Sequence, residues 1–158
     1  IESSMIDKAK SIIKLSRMLN KELLFPLDLI CSNSIDSSPL EDPVSFRKIP
    51  DGMIGLDIGP KTIKKIKNIL ESAGTVIWNG PLGFFEKEEF SNGTKEIAFF
   101  LRDLSKNKIN VVAGGGDTAS ALSLYECIDD FTHVSTGGGA SLSLLSGKRL
   151  NSLDRLEI

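Results

Sequence analysis

The sequence predicts an α/β fold, with a three-layer, doubly wound parallel sheet and helices on both of its faces. A short apolar run, a glycine-bearing turn and a helical pattern follow one another four times between residues 53 and 145. Apolar strands that alternate with helices in this way are typical of parallel sheets. The length of 158 residues is that of one ordinary domain, which buries a sizeable core without disulfides or metals.

Each of the four units links a predicted strand to a predicted helix through a turn that contains glycine. In chain order they are strand 53–58, turn Gly59-Pro60 and helix 61–73; strand 76–78, turn 79–83 and helix 93–106; strand 109–113, turn 114–118 and a helix to 126; strand 133–135, turn 136–139 and a helix to 145. Pro60 suits the first turn of a helix, where its missing N–H needs no partner. We expect the four turns to emerge at one edge of one sheet.

The first 50 residues are less regular. Apolar residues recur at helical spacing over residues 3–20, which predicts an amphipathic helix that packs on another element. The apolar segment 23–30 is split by Pro26, which predicts an edge strand or a bend because proline cannot donate to a central ladder. Residues 32–43, rich in Ser, Asp and Pro, predict an exposed loop. The chain begins with Ile1 instead of Met, which predicts a truncated or processed product.

Composition excludes several classes of function. The net charge is -2 and the 19 Lys and Arg residues are spread along the chain, so no nucleic-acid partner is expected. No apolar run approaches the roughly 20 residues that cross a bilayer, and no signal-peptide pattern is visible, so we expect no membrane partner and a cytoplasmic location. Cys31 and Cys127 lack partners at ligand spacing and are expected to be reduced, buried thiols.

The glycine clusters predict where a ligand binds. In open parallel sheets, ligands bind where the carboxyl ends of the strands meet. Glycine lets backbone approach a ligand closely, and each following helix start offers free N–H groups and the positive end of a dipole. The clusters at 79–83, 114–116 and 137–139 therefore predict an anion, most simply a phosphate. The alternative is that they only permit tight turns, but turns rarely need three consecutive glycines.

Carboxylates accompany two of these turns. Asp117 follows three glycines at a predicted helix start, and it either holds Mg²⁺ together with phosphate oxygens or caps the helix. Glu86, Glu88 and Glu89 follow the second turn. Most such glutamates are solvated surface charges, and one of them is a candidate for binding a ribose. Trp78 and Phe84 are assigned to the core or to a pocket wall, and the alternative is a platform on which a base stacks.

Four stretches together resemble the phosphoglycerate kinase family in order and spacing. The resemblance covers essentially the whole chain and is weakest over residues 1–50. It departs from the family at Phe84, where a smaller apolar residue is usual, and at Asn151-Ser152, where Pro-Gly is common. The stretches are Gly55-Leu56-Asp57-Ile58-Gly59-Pro60-Lys61-Thr62, Trp78-Asn79-Gly80-Pro81-Leu82-Gly83-Phe84-Phe85-Glu86, Gly114-Gly115-Gly116-Asp117-Thr118-Ala119 and His133-Val134-Ser135-Thr136-Gly137-Gly138-Gly139-Ala140-Ser141.

The resemblance implies that residues 1–158 form the greater part of a carboxy-terminal, nucleotide-binding domain, Rossmann-like and incomplete at its amino-terminal end. It implies a monomeric glycolytic enzyme that transfers a phosphoryl group between 1,3-bisphosphoglycerate and ADP, giving 3-phosphoglycerate and ATP, with Mg²⁺. The family's amino-terminal domain, which binds 3-phosphoglycerate, has no counterpart here. Because charged donors that stabilise the transition state are then missing, the chain alone is expected to be inactive.

The same resemblance implies roles for individual residues, by motif match. Gly115, Thr118 and Gly138 are the expected catalytic residues, and the rest bind the nucleotide or the metal. The implied roles are: Gly55 and Leu56 lining the adenine site, Asn79 and Pro81 bordering the nucleotide, Glu86 holding the ribose hydroxyls, Gly115 and Gly116 facing the phosphates, Asp117 binding Mg²⁺, Thr118 facing the transferred phosphoryl group, and the N–H groups of 137–139 directed toward that group.

Two rival hypotheses belong to other classes. One is a stand-alone nucleotide- or phosphate-binding module without catalysis, supported only by the missing acceptor domain. An upstream reading frame with a basic, arginine-containing domain would favour the kinase, and a start codon near Ile1 would favour the module. The other is an ordinary Rossmann or Walker-type enzyme, but residues 114–116 lack the Gly-x-Gly-x-x-Gly spacing and no Gly-x-x-x-x-Gly-Lys-Ser/Thr run exists.

Overall fold

The computed structural model describes residues 2–149, which form an α/β protein with two three-stranded sheets. Three short 3-10 turns, at Ser3–Met5, Glu88–Phe90 and Ile128–Asp130, complete its regular structure. The predicted α/β class is confirmed. The main elements in chain order are α1 (Ile6–Met18), β1 (Asp28–Ser32), β2 (Val44–Ser45), β3 (Ile54–Ile58), α2 (Pro60–Leu70), β4 (Thr75–Asn79), α3 (Asn92–Lys106), β5 (Asn110–Gly114), α4 (Gly116–Leu124), β6 (His133–Ser135) and α5 (Gly138–Leu145).

The parallel sheet has the strand order β4-β5-β6. Its register pairs Asn79 with Gly114, and Gly114 with Ser135. The carboxyl ends of the three strands therefore lie side by side, and the loops that follow them leave the sheet at one edge. This arrangement confirms the prediction for the last three units of the sequence.

The strand of the first unit lies elsewhere. β3 pairs antiparallel with β1 in a sheet of order β2-β1-β3, so the parallel sheet comprises three strands and not four. The turn Gly59-Pro60 consequently follows a strand of the antiparallel sheet. β1 is the middle strand, which corrects the expected edge strand or bend: Pro26 lies before β1 and does not interrupt its ladder. An apolar run predicts a buried strand but not the direction of its partner.

The core lies between these elements and draws on both sheets. Trp78 is 7% exposed and joins the core, as predicted, while its indole N–H donates to the carbonyl of Gly80 at 2.7 Å. Cys31 and Cys127 are both buried free thiols, and burial raises the pKa of each. The other core residues include Ile58, Ile63, Val76, Ile97, Leu101, Val111, Ala113, Leu122 and Phe131.

The first helix is only lightly packed. α1 has the predicted position, but none of its residues is buried, and Ile12, Leu15 and Met18 are about half exposed or more. The expected packing of its apolar face is therefore not found within residues 2–149. Residues 33–43 form the expected loop, without helix or strand. Asn151-Ser152 lies outside the described residues. Over the part of the chain that is described, the helices are too short or too polar to span a bilayer.

Candidate phosphate-binding edge and adjoining cavity

The loops after β4, β5 and β6 are packed together at the edge of the parallel sheet. Gly115 has a positive φ of 97° and donates its N–H to the carbonyl of Ser135 at 2.9 Å. A Cβ added at Gly115 would lie 2.9 Å from Oδ1 of Asn79. Only glycine combines this backbone conformation with so close a neighbour. The sequence therefore fixes the loop after β5 against the end of β4.

The third loop closes on the second. A Cβ added at Gly138 would lie 2.7 Å from Cα of Gly115 and 3.7 Å from Oδ1 of Asn79. Three residues that the sequence assigned to the site, Asn79, Gly115 and Gly138, thus lie together. The starts of α4 and α5 are brought side by side as a result.

The first turns of α4 and α5 are open. Their N-cap residues, Gly115 and Gly137, provide no side-chain hydrogen bond to them. Within residues 2–149, no side chain accepts from the N–H groups of Gly116 or Gly138. Two adjacent helix starts with free N–H groups, each at the positive end of a helix dipole, form a favourable place for an anion.

The starts of α2 and α3 are closed by buried aspartates, in contrast. The carboxylate of Asp28 accepts hydrogen bonds from the N–H groups of Lys61 at 3.0 Å and Thr62 at 2.8 Å, in the first turn of α2. Oδ2 of Asp57 accepts from N of Gly93 at 2.7 Å, in the first turn of α3. The expectation that the Gly59-Pro60 turn contributes to the anion-binding edge is wrong, because an internal carboxylate already occupies that helix start.

The pKa values of the two buried aspartates are shifted in opposite directions. Burial acts to raise the pKa of Asp28, but hydrogen bonds from the Thr62 side chain and from the Lys61 and Thr62 backbone outweigh it, so the pKa lies below its ordinary value. Burial dominates at Asp57 and raises its pKa to about 6, although the N–H groups of Gly93 and Ile58 favour the charged form.

Asp117 lies in the first turn of α4 and is exposed. The N-cap of α4 is Gly115, so the alternative role of Asp117 as the helix cap is wrong. Within residues 2–149, no group of His, Cys, Asp and Glu side chains could bind a metal ion by itself. An exposed carboxylate beside an anion site fits Mg²⁺ that is held jointly with phosphate oxygens, which is how proteins usually bind this ion.

Thr118 lies behind the edge and not on it. Its side chain is fully buried, and Oγ1 accepts a hydrogen bond from N of Gly80 at 2.8 Å. Gly80 has a positive φ of 97°, so this contact holds a glycine turn against α4. This contact gives Thr118 a part in positioning the loop after β4, and its expected role at the transferred phosphoryl group stays a prediction.

A cavity of about 410 Å³ adjoins the edge, between β3 and the loop after β4. Gly55, Leu56 and Pro81, which the sequence assigned to the nucleotide, all line it, and so does Phe84. The N–H of Phe84 donates to the carbonyl of Leu56 at 2.7 Å, which ties the loop to β3. The same loop reaches the anion edge through Gly80. One segment, residues 80–84, therefore connects the cavity with the open helix starts.

The wall of the cavity is fixed from behind by residues that sequence reasoning missed. Oγ1 of Thr94, in the first turn of α3, accepts from the N–H groups of Leu82 at 3.1 Å and Gly83 at 3.2 Å. Thr94 is fully buried. No local sequence signal marks this contact, because the collision of a Cβ added at Gly83 or Gly93 with Asp57 is visible only in the structure.

Glu86 lies just beyond the cavity wall and is exposed. Its neighbour Lys87 is paired with Asp36 at 2.8 Å, which anchors the turn to the loop at 33–43. Glu88 and Glu89 begin the next 3-10 turn and are also exposed. Burial alone does not single out Glu86, but it is the glutamate nearest in sequence to the wall residue Phe84.

The fold and the site define a class: an α/β domain with two adjacent, open helix starts at the carboxyl edge of a parallel sheet. A family model described as phosphoglycerate kinase matches residues 1–148. The chain therefore belongs to the phosphoglycerate kinase family.

Individual relatives agree with this assignment. Phosphoglycerate kinase of Borrelia hermsii is 45% identical over 157 residues, covering 99% of this chain and 39% of the relative. That of Thermosipho africanus is 40% identical over 151 residues, covering 95% and 38%. The chain thus spans about two fifths of the length of these relatives.

Solved structures show the same fold. The structure of phosphoglycerate kinase from Coxiella burnetii superposes with a TM-score of 0.84 and 32% identity, over 93% of this chain and 38% of that one. The crystal structure of phosphoglycerate kinase from Pyrococcus horikoshii gives a TM-score of 0.79 and 27% identity, over 99% and 38%.

Proposed function

We propose that this chain is the nucleotide-binding part of a phosphoglycerate kinase, residues 1–158 belonging to its carboxy-terminal domain. It binds ADP or ATP with Mg²⁺, and the parent enzyme transfers a phosphoryl group between 1,3-bisphosphoglycerate and ADP. The observation that carries the proposal is the contrast between helix starts. α2 and α3 are closed by Asp28 and Asp57, whereas α4 and α5 are open and adjacent at one edge.

The phosphates of the nucleotide bind at the open edge. Gly115 and Gly116 bring the start of α4 to the β-phosphate, and Gly138 brings the start of α5 to the phosphoryl group in transfer. Support comes from the uncapped first turns and from the packing of Gly138 on Gly115. Backbone N–H groups held in this way are suited to stabilise charge that develops in a transition state.

The base and ribose bind toward the cavity. Its volume of about 410 Å³ lies within the range of roughly 300–1,000 Å³ common for small-molecule sites. Gly55, Leu56 and Pro81 contact the adenine, Asn79 borders the nucleotide where edge and cavity meet, and Glu86 accepts hydrogen bonds from the ribose hydroxyls. Asp117 holds Mg²⁺, which when bound neutralises phosphate charge.

The reaction itself needs no protein nucleophile. A β-phosphate oxygen of ADP attacks the phosphorus of the acyl phosphate, the bond from phosphorus to the carboxylate oxygen breaks, and 3-phosphoglycerate leaves as the carboxylate. The chain contributes positioning and charge stabilisation on the nucleotide side only. The phosphoglycerate substrate binds a part of the parent enzyme outside this chain, and we propose that the chain alone has negligible turnover.

We propose a monomer in the cytoplasm, with nucleotides and phosphoglycerates as its ligands and neither nucleic acid nor membrane as a partner. The weakly acidic net charge of -2 supports the exclusion of nucleic acid.

Calorimetric titration of the purified chain tests the proposal. Mg-ADP is expected to bind one site, Mg-pyrophosphate to bind the same site more weakly, and adenosine to bind more weakly still. The chain is also assayed for ATP formation from 1,3-bisphosphoglycerate and ADP, and no turnover is expected. A folded chain that does not bind Mg-ADP contradicts the nucleotide site, and measurable ATP formation contradicts the proposed inactivity.

A further inference from the structure

Asp57 is a buried carboxylate that the proposed reaction does not use. Its residue is 2% exposed. Oδ2 accepts a hydrogen bond from N of Gly93 at 2.7 Å, and Oδ1 accepts from N of Ile58 at 2.8 Å. A carboxyl group buried this deeply is costly unless it is hydrogen-bonded. Its two hydrogen bonds meet this requirement, and Asp57 also lines the cavity between β3 and the loop after β4.

Asp57 is connected to the cavity wall through the start of α3. It fixes the backbone of Gly93, and the next residue, Thr94, accepts hydrogen bonds from the N–H groups of Leu82 and Gly83. The chain of contacts runs from the carboxylate, through one turn of helix, to the backbone that forms the wall. A displacement of Gly93 would be passed to Leu82 and Gly83 by two hydrogen bonds.

The wall also closes directly on the carboxylate. A Cβ added at Gly83 or at Gly93 would collide with Oδ1 of Asp57. The side chain of Asp57 therefore occupies the space that a side chain at either position would need. Leu56, the neighbour of Asp57 in β3, accepts from N of Phe84 at 2.7 Å and completes the connection between strand and wall.

We infer that Asp57 is a positioning residue for the base of the nucleotide, which sets the separation between β3 and the wall at 81–84. The inference rests on the proposed nucleotide site. Asp57 acts through Gly93, Thr94 and Gly83. Its carboxylate accepts from Gly93 of α3 and from Ile58 of its own strand, and within residues 2–149 it accepts no hydrogen bond from α4 or α5. Its loss therefore weakens recognition of the base and leaves recognition of the phosphates unchanged.

Two ligands test the inference: ADP, and pyrophosphate, which lacks the base and the ribose. Mg-ADP and Mg-pyrophosphate are titrated calorimetrically into the wild-type chain, Asp57→Ala and Asp57→Asn. Asp57→Ala is expected to weaken ADP binding about tenfold, which is the scale of a lost charge-assisted hydrogen bond. Pyrophosphate affinity is expected to change less than about twofold. Asp57→Asn retains one acceptor oxygen and is expected to restore part of the ADP affinity. If Asp57→Ala does not fold, Asp57→Asn alone tests the inference.

Asp28→Asn is the matched control. Asp28 is equally buried, at 4% exposure, and closes a helix start, but it holds α2, which bears none of the wall. This variant is expected to lower the melting temperature while the ratio of ADP to pyrophosphate affinity stays at the wild-type value. The inference is overturned if the Asp57 variants also keep the wild-type ratio. Absence of ADP binding by the folded wild-type chain overturns the proposed function instead.

Discussion

Gly138 packs directly on Gly115, so closely that a Cβ at position 138 would lie 2.7 Å from Cα of Gly115. The contact joins the turns after β5 and β6. It places the open starts of α4 and α5 next to each other, and the proposed site for phosphate depends on that adjacency.

Gly138→Ala is expected to separate the two turns. Overpacking of this kind costs about 1–3 kcal/mol in the free energy of unfolding, and we expect Mg-pyrophosphate affinity to fall with it, because both helix starts then no longer face one anion. Urea denaturation and calorimetry measure the two effects. The control is Gly74→Ala, where an added Cβ meets nothing within 4 Å. Unchanged pyrophosphate binding by a folded Gly138→Ala variant would contradict the shared anion site.

Asp117→Asn is expected to remove the effect of Mg²⁺ on nucleotide binding. In the wild-type chain, Mg²⁺ should raise ADP affinity by about tenfold, since carboxylate and phosphate oxygens share the ion. In the variant, affinities with Mg²⁺ and with EDTA should be nearly equal. Asp7→Asn is the control, because Asp7 is also an exposed first-turn aspartate but belongs to α1. The metal role is excluded if Asp117→Asn responds to Mg²⁺ as the wild type does.

Glu86→Ala is expected to weaken ADP binding by about tenfold, the scale of a lost hydrogen bond to a charged group. The loss should be specific to the ribose: 2′,3′-dideoxy-ADP should bind wild type and variant equally. Glu89→Ala serves as control, since Glu89 is exposed in the following 3-10 turn. If the wild-type chain does not distinguish ADP from its dideoxy analogue, Glu86 has no ribose role.

Stability should depend on pH through Asp57. Its pKa is raised from an ordinary value near 3.8 to about 6, so the folded chain binds more protons than the unfolded chain between these values. The stabilisation by Asp57 is therefore fully present below about pH 4 and is lost as the pH rises through about 6. Over this range the free energy of unfolding falls by up to about 3 kcal/mol.

The difference in unfolding free energy between the wild type and Asp57→Asn isolates this effect. Urea denaturation is carried out at a series of pH values. The free energy of unfolding of the wild type, minus that of Asp57→Asn, should fall between pH 4 and pH 7. The matched variant Asp28→Asn should show the opposite sign, because the pKa of Asp28 is lowered and its contribution is lost as the pH falls. A flat or rising difference for Asp57→Asn would count against the raised pKa.

The sequence was sufficient for features that are determined locally. The glycine run at 114–116 predicted the turn after β5, because glycine adopts a positive φ without steric cost and Gly115 has one. Pro60 predicted a helix start because proline suits the first turn of a helix, and α2 begins at Pro60. The open edge was predicted from three such turns, because parallel strands bring their carboxyl ends together.

The sequence was insufficient where the structure depends on contacts between distant residues. The carboxylate of Asp28 reaches the start of α2 across a sequence separation of 34, and Asp57 reaches the start of α3 across 36. No local pattern distinguishes these aspartates from surface ones. For this reason the Gly59-Pro60 turn was wrongly assigned to the anion edge. β3 was wrongly placed in the parallel sheet because its apolar residues do not reveal that its partner is the antiparallel strand β1.

On the proposed function, the starts of α4 and α5 receive phosphate while those of α2 and α3 do not. Titration of the ¹⁵N-labelled chain with Mg-ADP, followed by amide chemical shifts, tests it directly. The amides of Gly116 and Gly138 are expected to shift strongly, and those of Thr62 and Gly93, already bonded to internal carboxylates, to remain in place. Shifts that centre on Thr62 or Gly93, with Gly116 and Gly138 unmoved, would contradict the account.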